Sequence, residues 1–283
     1  MSAAPAELCT GWFDDAALFP PGDAPMAAAV PAHAALRRGL GDALGPFVVP
    51  AARLDELARH APDDGPLGIS LIAPAAGLAA AVARVQADPR LVLRAVEVPG
   101  VAGAVDAQQA ARVLGDVLPD GVPAAVELPR TAARDEVLDV LAGAGARAKL
   151  RTGGLRAALF PDAAELATTL CACLAREVAF KCTAGLHAAL PHRDPATGSA
   201  HHGFLTVLLA TDALAAGAGT AAAADLLARA DGPAVAAQVA AWPVGRVQRA
   251  RGWFTSFGTC SVTDPVRDLE ALGLRPALGG SPA

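Results

Sequence analysis

The chain has 283 residues, of which 23 are basic and 28 acidic, for a net charge of −5. That even balance argues against a nucleic-acid surface and against a polybasic membrane anchor, and points to a small-molecule partner. Five cysteines, at positions 9, 171, 173, 182 and 260, have the spacing of neither a zinc module nor a disulfide framework, so a reducing cytoplasm is the expected setting.

In chain order, Met1 to Cys9 has neither a basic leader nor an apolar core, and no signal peptide is expected there. Strand-like apolar runs follow at Trp12–Phe19, Pro46–Val49, Leu67–Ile72, Leu91–Val98, Val122–Leu128, Arg147–Arg151, Ala179–Thr183 and Trp253–Val262. Helical patterns lie between them. Ala110, Val113, Leu114 and Val117 repeat on one face, as do Leu166, Leu170, Cys173 and Leu174. Asp162 and Glu165 are placed to cap the second of these helices, and Asp264-Pro265 to start the last one. The Cys171-x-Cys173 pair falls inside a helix and reads as packing. Phe204 to Ala224 is apolar and long enough to suggest a membrane span. Its alanines, threonines and Asp212 transfer poorly to lipid, so two buried helices are expected instead.

Alternation of strand and helix along the whole chain predicts an α/β fold, a (β/α)8 TIM-type barrel formed by residues 1–283 as a single domain. An open doubly wound sheet is the runner-up, weakened because no Gly-x-Gly-x-x-Gly follows the first strand. The unit after strand seven carries a long insertion that begins with the polar loop Leu190–His202, a candidate lid.

In such a barrel the site lies where strands end and loops begin. Strand six ends in Lys149-Leu150-Arg151-Thr152-Gly153-Gly154. Strand seven runs Phe180-Lys181-Cys182-Thr183-Ala184-Gly185-Leu186-His187. Side chains alternate along a strand, so Lys149 and Arg151 share a face, as do Lys181 and Thr183. Burial would lower the amine pKa of Lys181, and Lys149 would lower it further, suiting Lys181 to a Schiff base. Either lysine can instead pair with Glu97 or Glu127, or act as a fixed cation toward an enolate. Arg151, with glycines after it, suits a carboxylate or phosphate. His187 and His202 are the candidates for proton transfer. Asp15, Glu97, Glu127, Thr183 and Cys260 complete the substrate-binding list. In a second reading, His187, His202 and Glu127 ligate a divalent metal with open positions.

The motifs Asp14-Asp15-Ala16-Ala17-Leu18-Phe19-Pro20-Pro21, Phe47-Val48-Val49-Pro50, Lys149 to Gly154, Phe180 to His187, His202-Gly203-Phe204-Leu205 and Ser256-Phe257-Gly258-Thr259-Cys260-Ser261 span nearly the whole chain. Through them it resembles an uncharacterised bacterial (β/α)8-barrel family. The chain departs from that pattern at Ala188, where a second histidine is expected. The resemblance implies the same site without naming a reaction.

The leading expectation is therefore an enzyme of the lyase, aldolase or isomerase type. It would perform carbanion or Schiff-base chemistry on a small carboxylated or phosphorylated carbonyl compound, with no cofactor required. Lys181, Lys149, His187 and His202 are its catalytic candidates. The alternatives are the metal-dependent enzyme, hydrolytic or oxygen-using, and a barrel that binds a ligand without catalysis.

Overall fold

Eight parallel strands close into a barrel in the computed structural model, which describes residues 6–63 and 65–274. The first five residues of the leader reading, and the end of the chain beyond Leu274, lie outside the described residues.

The barrel strands are β1 (Phe13–Asp15), β2 (Leu44–Pro50), β3 (Leu67–Ile72), β4 (Leu91–Val98), β5 (Ala124–Glu127), β6 (Arg147–Arg151), β7 (Phe180–Thr183) and β10 (Phe254–Thr259). They pair in sequence order, and β10 closes the ring onto β1. Helices α1 (Met26–Leu40), α2 (Leu54–His60), α3 (Ala75–Ala87), α4 (Ala104–Val117), α5 (Arg134–Ala144) and α6 (Ala163–Ala175) alternate with the first seven strands. Each such unit is a βαβ crossover, which is why the sheet is parallel throughout.

The insertion after β7 holds a hairpin of β8 (His192–Arg193) and β9 (Ala200–His201), then α7 (Phe204–Ala215), α8 (Thr220–Leu227), α9 (Gly232–Ala240) and α10 (Val244–Trp253). Helix α11 (Thr263–Ala271) follows the last strand. The apolar stretch at Phe204–Ala224 is indeed divided between two helices. Helix α7 is apolar all round because it is buried almost entirely, packed among α6, α8 and α10. Its single acid, Asp212, pairs with Arg246 of α10 at 2.7 Å. By length and composition the stretch 157–175 is also apolar enough to cross a membrane. Here it is a 3₁₀ turn followed by α6, whose Leu166, Ala167, Leu170 and Cys173 face inward.

Several ends differ from expectation, among them those of β2, β5 and β10, and two of the differences have a local cause. The apolar run from Trp12 stops being a strand at Asp15, because the Asp15 carboxylate accepts from the Ala17 amide and Phe19 turns back onto Ala16. Asp264 and Pro265 fall in the first turn of α11 instead of capping it, since the helix already begins at Thr263. Asp162, by contrast, caps α6 by accepting from the Glu165 amide.

The apolar core lies between strands and helices. On the β7–β10–β1 side it is aromatic: Trp12 meets Phe204, Phe254 and Phe257 edge-on at 5.3–5.7 Å, and Phe204 stacks on Phe257 at 5.0 Å. These rings fix the first insertion helix against β1 and β10, the strands that carry Asp14 and Thr259. The barrel interior is different, for part of it is filled with charge.

Candidate active site at the carboxyl-terminal mouth

Lys149 and Lys181 stand side by side in the register of β6 and β7, and Arg151 stands beside Thr183 two residues on. Alternation turns all four into the barrel. There they meet carboxylates that approach from distant strands. Asp14 Oδ2 lies 2.6 Å from Lys181 Nζ, which lies 2.5 Å from Glu97 Oε1. Glu97 Oε2 lies 2.8 Å from Lys149 Nζ. Glu127 Oε2 is 3.4 Å from that same ammonium, and its Oε1 accepts from Arg151 Nε at 3.1 Å. The result is an alternating chain of three carboxylates and three cations, with no net charge. Ser70 donates to Glu97 at 2.9 Å and Ser256 to Asp14 at 2.8 Å. Asp14, Glu97, Lys149 and Lys181 are all buried.

The sequence-based expectation that the Lys181 amine pKa falls is overturned. Burial does favour the neutral amine, but two carboxylates in direct contact outweigh it and raise the pKa above the ordinary lysine value. Lys181 is held as an ammonium, which is not a nucleophile. Burial likewise pushes Glu97 up, yet Lys149 and Lys181 prevail and hold its carboxyl well below the usual range. For Asp14 burial prevails and its carboxyl is raised despite Lys181 and Ser256. Acid therefore reaches Asp14 before Glu97.

Above this chain the carboxyl-terminal mouth opens. Arg151 spends only its Nε on Glu127, and its terminal amino groups have no partner among the described residues. With a third of its side chain exposed, it lines a cleft of about 380 Å³ between the loops after β5 and β6 and helices α5 and α6, with Leu150, Leu166 and Thr169. Arg130 and Glu165 lie across this cleft, joined by two hydrogen bonds of 2.6 Å. On the other side of Arg151 come Thr183 and then Gly258, where an added Cβ would sit 3.7 Å from the Thr183 hydroxyl. Thr259 follows, and its hydroxyl lies 3.0 Å from His187 Nδ1. Cys260 Sγ is 3.8 Å from the same nitrogen.

The Thr259 hydroxyl donates its proton to the Ser261 carbonyl at 3.0 Å. Only its lone pairs are left for His187, so His187 Nδ1 carries the hydrogen and Nε2 carries the free pair. Burial, with His201 and His192 nearby, lowers the His187 pKa. A neutral imidazole with an unspent Nε2 has a lone pair that can accept a proton. The Cys260 thiol is pushed up by burial, against the pull of the Gly22 amide and its own, and serves His187 as a neighbour in thiol form.

The glycines after Arg151 have a job other than anion binding. Gly153 and Gly185 bring the β6 and β7 loops backbone to backbone. A Cβ on Gly153 would fall 2.9 Å from the Gly185 Cα, and one on Gly185, whose φ is +83°, would fall 2.9 Å from the Thr152 carbonyl oxygen. Only glycine permits that crossing.

Two candidates stand elsewhere. Asp15 turns away from the barrel interior, with Oδ2 on His33 Nδ1 of α1 at 2.9 Å, and both side chains are sealed. His202 is buried with Nε2 2.8 Å from the Pro161 carbonyl, so it does not form a proton-transfer pair with His187. Its neighbour His201 takes the place over the site. Its Nδ1 is 3.3 Å from the Gly185 carbonyl, and its ring lies against Phe160 at 4.7 Å and His192 at 4.8 Å. The metal reading fares poorly for the same reason. Glu127 is engaged by Lys149 and Arg151, His202 by Pro161, and no group of three His, Cys, Asp or Glu among the described residues converges on one point.

Besides His201, two site residues and the partner of Asp15 escaped the sequence reading. Ser70 was signalled, as the one hydroxyl in the apolar strand Leu67–Ile72. Thr259 was signalled by its place beside Cys260. His33, in the middle of α1, carried no signal. No protein-family model, curated protein or solved structure matches this chain.

Proposed function

We propose that the carboxyl-terminal mouth is the active site of a lyase- or isomerase-type enzyme that abstracts a proton next to a carbonyl of a small anionic compound. Barrels of this fold are commonly enzymes that act at this face, and the rest follows from the site. Arg151 offers its unpaired fork to the carboxylate or phosphate of the substrate. His187 Nε2 takes the proton, and Thr259 keeps its tautomer in place. Negative charge develops on the carbonyl oxygen within reach of Thr183 and the charge chain, whose ammonium groups are fixed before the reaction starts. Lys181 acts here as a fixed cation, and the Schiff-base branch of the expectation is set aside. The single observation that carries the reading is that an arginine with unspent donors and a histidine with an unspent lone pair both stand at carboxyl-terminal strand ends, Arg151 beside Thr183 and His187 beside Thr259.

The test is solvent exchange. The protein is mixed in D2O with a panel of 2-oxo acids and sugar phosphates, and loss of the α-proton signal is followed by NMR. The expected result is enzyme-dependent exchange in at least one compound, abolished in His187→Gln and reduced at least about 100-fold in Arg151→Gln, the scale of a lost general base or charge clamp. Exchange that survives in His187→Gln overturns the base. If binding occurs to the panel without any exchange, the ligand-binding barrel is the correct reading.

A further inference from the structure

The opposite end of the barrel holds a second cavity, of about 170 Å³. Its lining comes from strand beginnings: Gly11 before β1, Pro123 before β5, Arg147 at the start of β6 and Thr255 at the start of β10. Arg94 of β4 lines it as well, and its floor is the lower part of the charge chain, Asp14, Glu97 and Lys181.

Cations are in excess here. The carboxylates on the floor are matched by Lys181 and Lys149, so Arg94 and Arg147 add charge that nothing cancels. Neither has a hydrogen-bond or ion-pair partner among the described residues. Two more guanidinium groups stand nearby and meet only carbonyl oxygens, the buried Nε of Arg251 having no partner among the described residues. Arg37 donates to Gly41 and Gly45, and Arg251 donates to Thr10 and Phe254 while lying over the Trp12 ring at 4.8 Å. Of the acids at this end, Asp88 is taken by Arg90 and Asp42 acts on Arg37. Burial lowers the Arg147 pKa, against the attraction of Asp14. The guanidinium groups of Arg94 and Arg147 both keep access to solvent and have donors that no group among the described residues uses, so an anion entering the cavity meets unspent, charged donors. Lys181 adds a further donor, since an ammonium has three and its carboxylates take two.

We propose that this cavity is a binding site for a small oxyanion, a phosphate or a short carboxylate, held between Arg94 and Arg147 above the Lys181 ammonium. Its volume equals that of about five or six waters, enough for one such ion and too little for a nucleotide. The site is separate from the mouth and sits beneath the same charge chain. An anion bound there also stabilises the fold by binding the native state alone.

The proposal is tested in an Arg151→Gln background, which removes the anion clamp of the mouth and uses no turnover, so its outcome is independent of the reaction assigned above. Calorimetric titration with inorganic phosphate, and separately with malonate, is expected to show one equivalent bound by whichever anion suits the cavity. Adding Arg147→Gln or Arg94→Gln is expected to weaken binding at least tenfold, with the fold verified by circular dichroism. Arg94 is exposed, so its variant tests the site even if Arg147→Gln folds poorly. The stronger of the two anions identifies the ligand as phosphate or carboxylate. Absence of binding of both anions in Arg151→Gln, or binding unchanged by Arg94→Gln and Arg147→Gln, overturns the proposal.

Discussion

Glutamine at position 97 keeps the shape of the side chain and removes the one charge that joins the two buried lysines. Glu97 is 2% exposed and accepts from Lys181 at 2.5 Å, Lys149 at 2.8 Å and Ser70 at 2.9 Å. A glutamine can still accept at one oxygen, but its amide NH2 would confront one of the two ammonium groups. The chain would pass from no net charge to one uncompensated buried cation. Breaking a buried ion pair from one side costs about 3–5 kcal/mol, a large share of the roughly 5–15 kcal/mol that holds a typical domain together. Urea unfolding at pH 7, followed by tryptophan fluorescence with the slope compared between proteins, should show that loss in Glu97→Gln. Adding Lys149→Met restores neutrality and should recover part of it. The pH dependence has a definite sign. The Glu97 pKa is lowered in the folded protein, so its contribution is fully present above the ordinary glutamate value of about 4.3 and is lost as pH falls toward the folded value. The gap between parent and variant should therefore close in acid. A cost below about 1 kcal/mol at pH 7, the range of a surface pair, would refute the reading of this chain as a tightly coupled buried network.

Lys181→Ala leaves Asp14 and Glu97 without their shared ammonium, and its main effect should be on stability, again by about 3–5 kcal/mol. Because the amine is held protonated, borohydride with candidate carbonyl compounds should trap no adduct at Lys181, and a trapped adduct found by mass spectrometry would reinstate the covalent mechanism. Gly185→Ala should cost at least about 1 kcal/mol in thermal or urea unfolding, because it adds a Cβ at positive φ against the Thr152 carbonyl; a neutral substitution would show that the loops can part. In the hairpin, Asp194, Gly198 and Ser199 bond mainly to one another, so amides of residues 193–199 should exchange with solvent much faster than those of α7 in the free protein. Slow exchange there would count against a lid.

Much of the barrel was legible because its physics is local. The strands Leu67–Ile72, Leu91–Val98 and Arg147–Arg151 coincide with their apolar or alternating runs to the residue, since strand, turn and helix each leave a periodic mark. The neighbourhood of Lys149 and Lys181 was legible for the same reason, as two strands of like design came in sequence. The sign of the Lys181 shift was not. It depends on Asp14 and Glu97, which are 167 and 84 residues away, and a desolvated lysine between two carboxylates is opposite in behaviour to one beside another cation. The exchange of His202 for His201 was equally hidden. In an antiparallel hairpin a shift of one residue reverses which side chain faces the site, and that register is set by the Asp194 turn. The amino-terminal cavity left no local mark either, for Arg94 and Arg147 are ordinary strand residues until the ring closes.

The central claim is that His187 offers a free Nε2 at a mouth where Arg151 holds an anion. Nitrogen-15 NMR of the imidazole reads it directly, through the tautomer and the pH at which the ring takes a second proton. The expected spectrum shows the Nδ1–H tautomer with a titration midpoint below that of free histidine, as burial dictates. It should turn to a mixture in Thr259→Val, which removes the acceptor, and return in Thr259→Ser. A His187 that carries its hydrogen on Nε2 in the parent protein, or that titrates above the free value, would contradict the assignment of this residue as the base.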